Sequence, residues 1–449
     1  MKNYRLLVIG GGAAGITIAR NAATLGLDVA LIEKEKIGGE CSWTGCIPSK
    51  VLIAAAKNGH LIKNAKSWNF PNDYQLKPNK VMAKVREIVN KTADRNNAAV
   101  SLMDAGVELF YGKPRFIDKH TIELKGEKFQ GKDIVLCTGS STSIPSNIGL
   151  ENILYFTNKN IFSINQIPSS ICIIGAGPTG IEMAQSFQRL GSQVTVIEER
   201  SKILLNDDFE LSELLLHYLS EEGINFKLGH KIISITKVDD FFTINSEKKT
   251  DPHSKTNTEA ILVATGKQAN TENLDLPKIG VEYNNSSIKV NKYLQTTVSN
   301  IWAAGDCINR GQFAHTAEVE AKSVLYNILS PIKKRINYQG LPRATFSDPE
   351  LAHVGVSEKE AKKKKMKYIL YKFPISKLDR AIVEQQDKGI IKITSTPKGK
   401  ILGADILSAH ASELINEVVL AMNNNITIEK LSLTCHIYPS WSYGLQRNT

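Results

Sequence analysis

The chain has 449 residues, 42% of them hydrophobic and 22% charged, which excludes a disordered or fibrous protein and gives enough length for two or three separate cores. Its formal charge of +11 suits anionic ligands such as dinucleotides, but no helix-turn-helix, zinc-finger or RNA-recognition pattern turns that charge into a nucleic-acid reading, and no apolar run has the length of a membrane span. Six cysteines are too few for a stapled secreted scaffold, so a soluble cytoplasmic enzyme with no membrane span is the expectation.

From the amino terminus, Leu6 to Ile9 reads as a buried strand that runs into Gly10-Gly11-Gly12-Ala13-Ala14-Gly15, then a helix, then a second strand from Val29 to Glu33. This is a strand–turn–helix–strand unit carrying G-x-G-x-x-G at Gly10, Gly12 and Gly15, with an acid about twenty residues on. The first glycine allows the tight turn, the second lets a pyrophosphate approach the backbone, and the third lets helix and strand pack closely. Glu33 is then placed to accept hydrogen bonds from ribose hydroxyls.

Next comes Gly38-Gly39-Glu40-Cys41-Ser42-Trp43-Thr44-Gly45-Cys46-Ile47-Pro48-Ser49-Lys50, the most specific segment of the chain. In an unbroken helix Cys41 and Cys46 would lie about 7.5 Å apart along the axis, too far for a relaxed disulfide, so bridging them requires a distortion that Gly45 permits. Strained, accessible disulfides are the reducible ones, and an otherwise cysteine-poor chain points to a redox-active pair. Residues 52–105 lack strand signals and are expected to be helices inserted into the first unit.

The unit then repeats. Ile171 to Ile174 leads into Gly175-Ala176-Gly177-Pro178-Thr179-Gly180, a helix, and Val194 to Glu198, placing Glu198 as Glu33 is placed. Two dinucleotide sites in one chain imply a bound flavin fed by a diffusible nicotinamide. Beyond about Asn337 the pattern turns β-rich at Thr345-Phe346 and 389–393, followed by a helix from Ala411 to Met422, which suggests an α+β domain. The run Lys362 to Lys365 reads as a solvated helix face.

On these motifs the chain resembles the pyridine nucleotide–disulfide oxidoreductases over nearly its whole length, and among them the mercuric reductase-like members. The resemblance implies an α/β protein with two doubly wound Rossmann-like domains, one binding FAD (1–149 and 267–335) and one binding NAD(P)H (150–266), plus an α+β dimerisation domain (336–449) and a homodimer. It implies that Cys46 faces the flavin, that Cys41 attacks substrate, and that Lys50 and Glu182 pair near the flavin's reactive nitrogen. Gly39, Thr138, Gly139, Gly266, Asp306 and Ala314 are the further cofactor positions it carries, the first FAD turn contributing Ala14 as well.

The sequence departs from the family's thiol–disulfide reductases at the C-terminal His-Pro motif. Here the stretch reads His436-Ile437-Tyr438-Pro439-Ser440-Trp441-Ser442-Tyr443, which puts Tyr438 where a catalytic histidine belongs and Tyr443 where its glutamate partner belongs. A phenol with a pKa near 10 is a poor proton shuttle at neutral pH. His436 is the alternative acid–base, two residues away. The vicinal cysteines of mercuric reductases are missing from Gln446-Arg447-Asn448-Thr449, and Leu378-Asp379-Arg380-Ala381 is reminiscent of that branch. Glu198 favours NADH by repelling a 2′-phosphate, while Arg200 and Lys202 offer that phosphate a partner, so the balance leans to NADH.

The expected activity is therefore an FAD-dependent NAD(P)H oxidoreductase passing electrons through Cys41–Cys46 to a small acceptor: a metal ion, a disulfide or a quinone. No resident metal is expected. The competing readings are a dihydrolipoamide dehydrogenase relative that uses His436, and a non-catalytic redox-sensing flavoprotein whose basic helix 362–367 docks an acidic partner.

Overall fold

The computed structural model describes residues 1–71 and 77–447; Asn448 and Thr449, which entered the reading of the C-terminus, and five positions of the helical insertion lie outside them. Strand β1 (Lys2–Ile9) runs parallel to both β2 (Val29–Glu33) and the strand Glu127–Leu136. Val107–Tyr111 joins beyond β2, and Ile301–Ala303 pairs with Glu127–Leu136, both parallel. Every residue of β2 is buried, as a parallel sheet covered on both faces requires. Helix α1 (Ala13–Thr24) covers one face together with the helix Ala314–Leu329, so residues more than 250 positions apart in sequence build one core.

The register decides where the chemistry sits. Ile9 stands opposite Ile32 and Leu136, so Gly10, Glu33 and Cys137 converge just past the carboxyl edge of the sheet. That edge is where open parallel sheets bind ligands. The second unit repeats the arrangement with Ser170–Ile174 between Gln193–Glu198 and Ala260–Val263, and Ile174 stands opposite Ile197 and Val263. An antiparallel meander of Lys231–Val238, Phe241–Lys248 and Asp251–Thr258 interrupts this unit before its last strand, a feature the sequence reading did not mark.

Residues 343–408 contribute a five-stranded antiparallel sheet backed by the helix Ala411–Asn423, with a core of its own. The helix expected over the basic run is short: it spans Glu358–Lys363, and Lys364 to Lys367 lie beyond its end. Lys362 pairs with Glu358 at 2.6 Å and Lys364 with Glu360 at 3.7 Å, so part of the run's charge is already answered within the segment and the docking helix 362–367 of the sensor reading does not form.

Between the first two units lie α2 (Gly39–Trp43), α3 (Cys46–Lys63) and α4 (Pro78–Asn96). Although they interrupt the first unit in sequence, Leu52, Ala56, Met82 and Val85 share a core with Ile181, Ala184 and Phe187 of the second. Packing α3 on the helix Pro178–Arg189 carries Cys46, its first residue, to the junction of the two units.

Candidate redox-active site

The first glycine turn is built for a close ligand. Gly10 has φ +108°, and a Cβ there would lie 2.2 Å from the Cys137 carbonyl oxygen, so only glycine fits. A Cβ on Gly12, in contrast, meets nothing nearer than Gly39 Cα at 4.0 Å. Helix α1 has no side-chain N-cap and no acid in its first turn, which leaves its first N–H groups open to an anion. Glu33 is buried and held rigid, its Oε2 accepting from Gly11 N at 2.6 Å and its Oε1 from Glu35 N at 2.7 Å. The second turn matches it point for point: Glu198 accepts from Ala176 N at 2.9 Å and from Arg200 N at 2.8 Å.

A cavity of 740 Å³ is lined by Gly12, Ala14, Glu33, Gly39, Cys41, Cys46, Thr138, Gly139, Asp306 and Ala314. Gln312 Nε2 faces this space buried, with no hydrogen-bond partner among the described residues. An acid that can meet ribose hydroxyls, uncapped N–H groups that can meet a pyrophosphate, a spare donor and a cysteine pair, all on one cavity, fit FAD. Gly175, Gly177 and Gly180 do not line it. Gly266 also lies off the cavity; its carbonyl accepts from Ser143 N at 2.9 Å in the crossing between units.

The cysteines meet through a break in the helix. Helix α2 ends at Trp43, Thr44 follows, Gly45 takes φ −130° and ψ −106°, and α3 starts at Cys46. A Cβ on Gly45 would stand 2.9 Å from the Glu40 carbonyl oxygen, so the fold-back needs glycine here. Both cysteines are free thiols, and both line the cavity. The Cys41 S–H donated to Cys46, aided by the Lys50 and Lys267 ammonium groups, lowers the Cys46 thiol to about 7 against burial and Glu182. Donating that hydrogen bond, with burial, pushes Cys41 well up.

Lys50, one turn into α3, donates to Glu182 Oε2 at 2.8 Å, and the buried Glu182 also accepts from Phe346 N at 3.0 Å through Oε1. One carboxylate thus ties the cysteine helix, the second unit and the C-terminal sheet domain together.

Tyr438 and His436 do not line the cavity of their own chain. Tyr438 is 61% exposed; its hydroxyl donates to Asp379 Oδ2 at 2.7 Å, and its ring meets Tyr443 edge-on at 5.5 Å. The Asp379 carboxylate holds the phenol's pKa above its ordinary value. Both ring nitrogens of His436 are engaged inside its own domain, Nε2 at 2.7 Å from Glu417 Oε1 and Nδ1 at 2.8 Å from the Thr434 carbonyl.

Sequence reasoning missed Glu40, Asn158 and Lys267. Lys267 Nζ donates to Glu40 Oε2 at 2.6 Å and to Asp306 Oδ2 at 3.3 Å, while Asn158 Nδ2 donates to Glu40 Oε1 at 2.5 Å. The available signal was position: Glu40 adjoins Cys41, and Lys267 directly follows the Gly266 crossing.

Comparison with known proteins agrees with this geometry. Residues 4–321 match the pyridine nucleotide-disulphide oxidoreductase model and residues 341–448 match the dimerisation domain of the same family. The chain is 31% identical to a mercuric reductase of Lysinibacillus sphaericus, covering 99% of this chain and 82% of that one. It is 30% identical to dihydrolipoyl dehydrogenase 3 of Pseudomonas putida over 100% and 97% of the two chains. A solved Cu(II) complex of the HOCl-induced flavoprotein disulfide reductase RclA from Escherichia coli superimposes with a TM-score of 0.89 at 26% identity, covering 100% of this chain and 99% of that one. With the glycine turns, the long cavity and the cysteine fold-back already in place, these matches settle the family: the chain belongs to the pyridine nucleotide-disulphide oxidoreductases, FAD-dependent enzymes that draw electrons from a pyridine nucleotide.

Proposed function

We propose that this chain reduces a thiophilic metal ion, with NADH as donor and Cys41–Cys46 as the dithiol that meets the acceptor. When bound along the first cavity, FAD supplies a two-electron carrier between nicotinamide and the cysteine pair. Gly10, Gly12, Ala14, Gly15, Glu33, Gly39, Thr138, Gly139, Asp306 and Ala314 are the positions assigned to hold it, on residues 1–149 and 267–335. Gly175, Gly177, Gly180, Glu198 and Gly266 are assigned to the nicotinamide cofactor, on residues 150–266. Lys50 and Glu182 orient the reacting edge, Cys46 holds the thiolate, and Cys41 keeps its proton until an acceptor arrives. Residues 336–449 form the dimerisation domain, and the working unit is a homodimer.

The observation that carries the acceptor is the commitment of Tyr438 to Asp379 at 2.7 Å. Reducing a disulfide requires a proton for the departing thiolate, and a phenol held above its ordinary pKa does not exchange one readily near neutrality. A thiophilic metal ion bound by two sulfurs makes no such demand. The relatedness to mercuric reductases and the Cu(II) complex of RclA support the same choice.

The test is anaerobic turnover of the FAD-loaded protein with NADH against Hg(II), Cu(II), lipoamide and glutathione disulfide. Metal-dependent NADH oxidation that disappears in Cys41→Ser is the expected result. Lipoamide turnover exceeding that with either metal ion overturns the reading in favour of a dihydrolipoamide dehydrogenase.

A further inference from the structure

We infer that Gln312 is a cofactor-contacting residue: its side-chain amide donates a hydrogen bond to an acceptor atom of FAD, and the hold on the cofactor depends on that bond. The inference rests on the assignment of FAD to the first cavity and adds a residue that lies outside the glycine turns and their acids.

One buried donor on the cavity is left over. Gln312 Nε2 is buried, its side chain lines the cavity, and it has no hydrogen-bond partner among the described residues. A buried amide N–H without a partner forfeits the bonds it made to water, so folded proteins rarely keep one without a use. Other polar side chains on the same cavity have found partners inside the chain. Ser140 donates to Asp306 at 2.8 Å, Ser141 to Asn270 at 2.8 Å, Asn270 to the Thr138 carbonyl at 2.9 Å, and Lys267 to Glu40 at 2.6 Å. Thr138 Oγ1, the other unpaired buried atom of the lining, has the Cys307 sulfur beside it. The Gln312 amide is the donor that remains for a ligand.

A local use of the amide is excluded as well. Gln312 stands two residues before the helix Ala314–Leu329, close enough in sequence to cap its open N–H groups, yet among the described residues its side chain makes no hydrogen bond to that helix. The segment is nonetheless anchored on both sides. Arg310 Nη2 donates to the Val290 carbonyl at 2.9 Å, and a Cβ on Gly311 would stand 2.8 Å from Thr316 Cγ2. Phe313 stacks on His315 at 5.5 Å, and His315 Nε2 meets the Pro342 carbonyl at 2.8 Å. A donor held in place before its ligand arrives loses little freedom on binding.

FAD offers lone pairs on its pyrophosphate oxygens, ring nitrogens and ring carbonyls. An acceptor on the isoalloxazine gains electron density on reduction, so a donor there favours the reduced flavin; an acceptor on the pyrophosphate changes affinity alone.

The readout is the rate at which the purified holoenzyme releases FAD after dilution, followed by the fluorescence of the free flavin. Gln312→Met, close in size and without an N–H, is expected to release FAD about tenfold faster than the parent. Gln312→Glu, which keeps the size and an oxygen but loses the N–H, is expected to release it at least as fast. Gln312→Lys, which keeps N–H groups, should stay closer to the parent than to Gln312→Met. A side chain that only fills space would leave Gln312→Met at the parent rate, one that accepts from a ribityl hydroxyl would leave Gln312→Glu there, and a merely loosened loop would speed release equally in all three variants; each of these results overturns the inference. With faster release established, a flavin midpoint potential lowered in Gln312→Met together with a shifted visible spectrum assigns the acceptor to the ring, and an unchanged potential and spectrum assign it to the pyrophosphate; both uphold the bond. Should the melting temperature show that Gln312→Met folds poorly, Gln312→Glu and Gln312→Lys carry the comparison. A parent protein that takes up no FAD overturns the inference and the cavity assignment together, whereas parent-like release in every variant overturns the inference alone.

Discussion

The phenol of Tyr438 hydrogen-bonds to the Asp379 carboxylate at 2.7 Å, joining the C-terminal segment to the short helix Asp379–Val383. The bond raises the phenol's pKa, with Asp379 as the leading cause, so Tyr438 stays protonated through the neutral range and gives no ionisation to the rate profile there. Tyr438→Phe should leave both reduction by NADH and turnover with a metal ion close to the parent values, because neither draws a proton from the phenol. Tyr438→His should raise lipoamide turnover by about 100-fold by supplying an imidazole that exchanges protons near pH 7. Stopped-flow reduction separates the first half-reaction from the second. A Tyr438→His variant no faster than the parent with lipoamide would count against placing Tyr438 at the acceptor site.

The two glycine turns should fail separately. A methyl group at Gly10 collides with the Cys137 carbonyl at 2.2 Å, so Gly10→Ala should yield protein purified without its yellow colour. At Gly177 a Cβ meets nothing within 4 Å, so Gly177→Ala should fold, keep FAD and melt near the parent temperature, and yet show about a tenfold higher KM for NADH because the methyl occupies the ligand's approach. Flavin absorbance and steady-state kinetics decide both cases.

Reduction of the cysteine pair should make stability depend on pH in a defined window. Cys46 falls to about 7 from an ordinary value of 9.0, so its contribution is fully present above the ordinary value and is lost as pH falls through 7. Cys41 moves upward, so its contribution is present below the ordinary value and lost as pH rises past its own elevated one. The thermal midpoint of the reduced protein should therefore climb relative to Cys46→Ser between about pH 6 and 9. A flat difference across that range would mean that the lowered Cys46 pKa is not realised.

Which of these features were legible beforehand follows from the range of the forces involved. Gly10, Gly12, Glu33, Gly175 and Glu198 stood out because a glycine turn and the acid at the next strand end are specified within about 25 residues, and the parallel register then brings them together. The break at Gly45 was legible for the same reason. Lys267 was not, since its partners Glu40 and Asp306 lie 227 and 39 positions away and only the folded sheet edge makes them neighbours. Asp379 was noticed as part of a short motif, but its bond to Tyr438 spans 59 positions and has no periodic trace. The helices of 52–105 were expected from their pattern. Their packing on the second unit was not, because an amphipathic helix declares that it has an apolar face without saying which core receives it.

The nicotinamide preference offers the last prediction. Both oxygens of Glu198 are already fixed by the backbone N–H groups of Ala176 and Arg200, which holds a carboxylate at the strand end; in the proposed nicotinamide site the ribose 2′ position would lie there. A 2′-phosphate entering there would meet a negative charge that cannot swing away without breaking two hydrogen bonds, and the nearby Arg200 side chain is left to offset it. Glu198→Ala removes the repulsion and also loosens the turn, so kcat/KM for NADH should fall while that for NADPH rises. The NADPH/NADH ratio should then increase by at least about tenfold. Glu198→Ala/Arg200→Ala should bring the ratio back down, since the remaining attraction for the phosphate is gone. Equal losses with both nucleotides in the single variant would mean that Glu198 serves the turn alone and takes no part in choosing the donor.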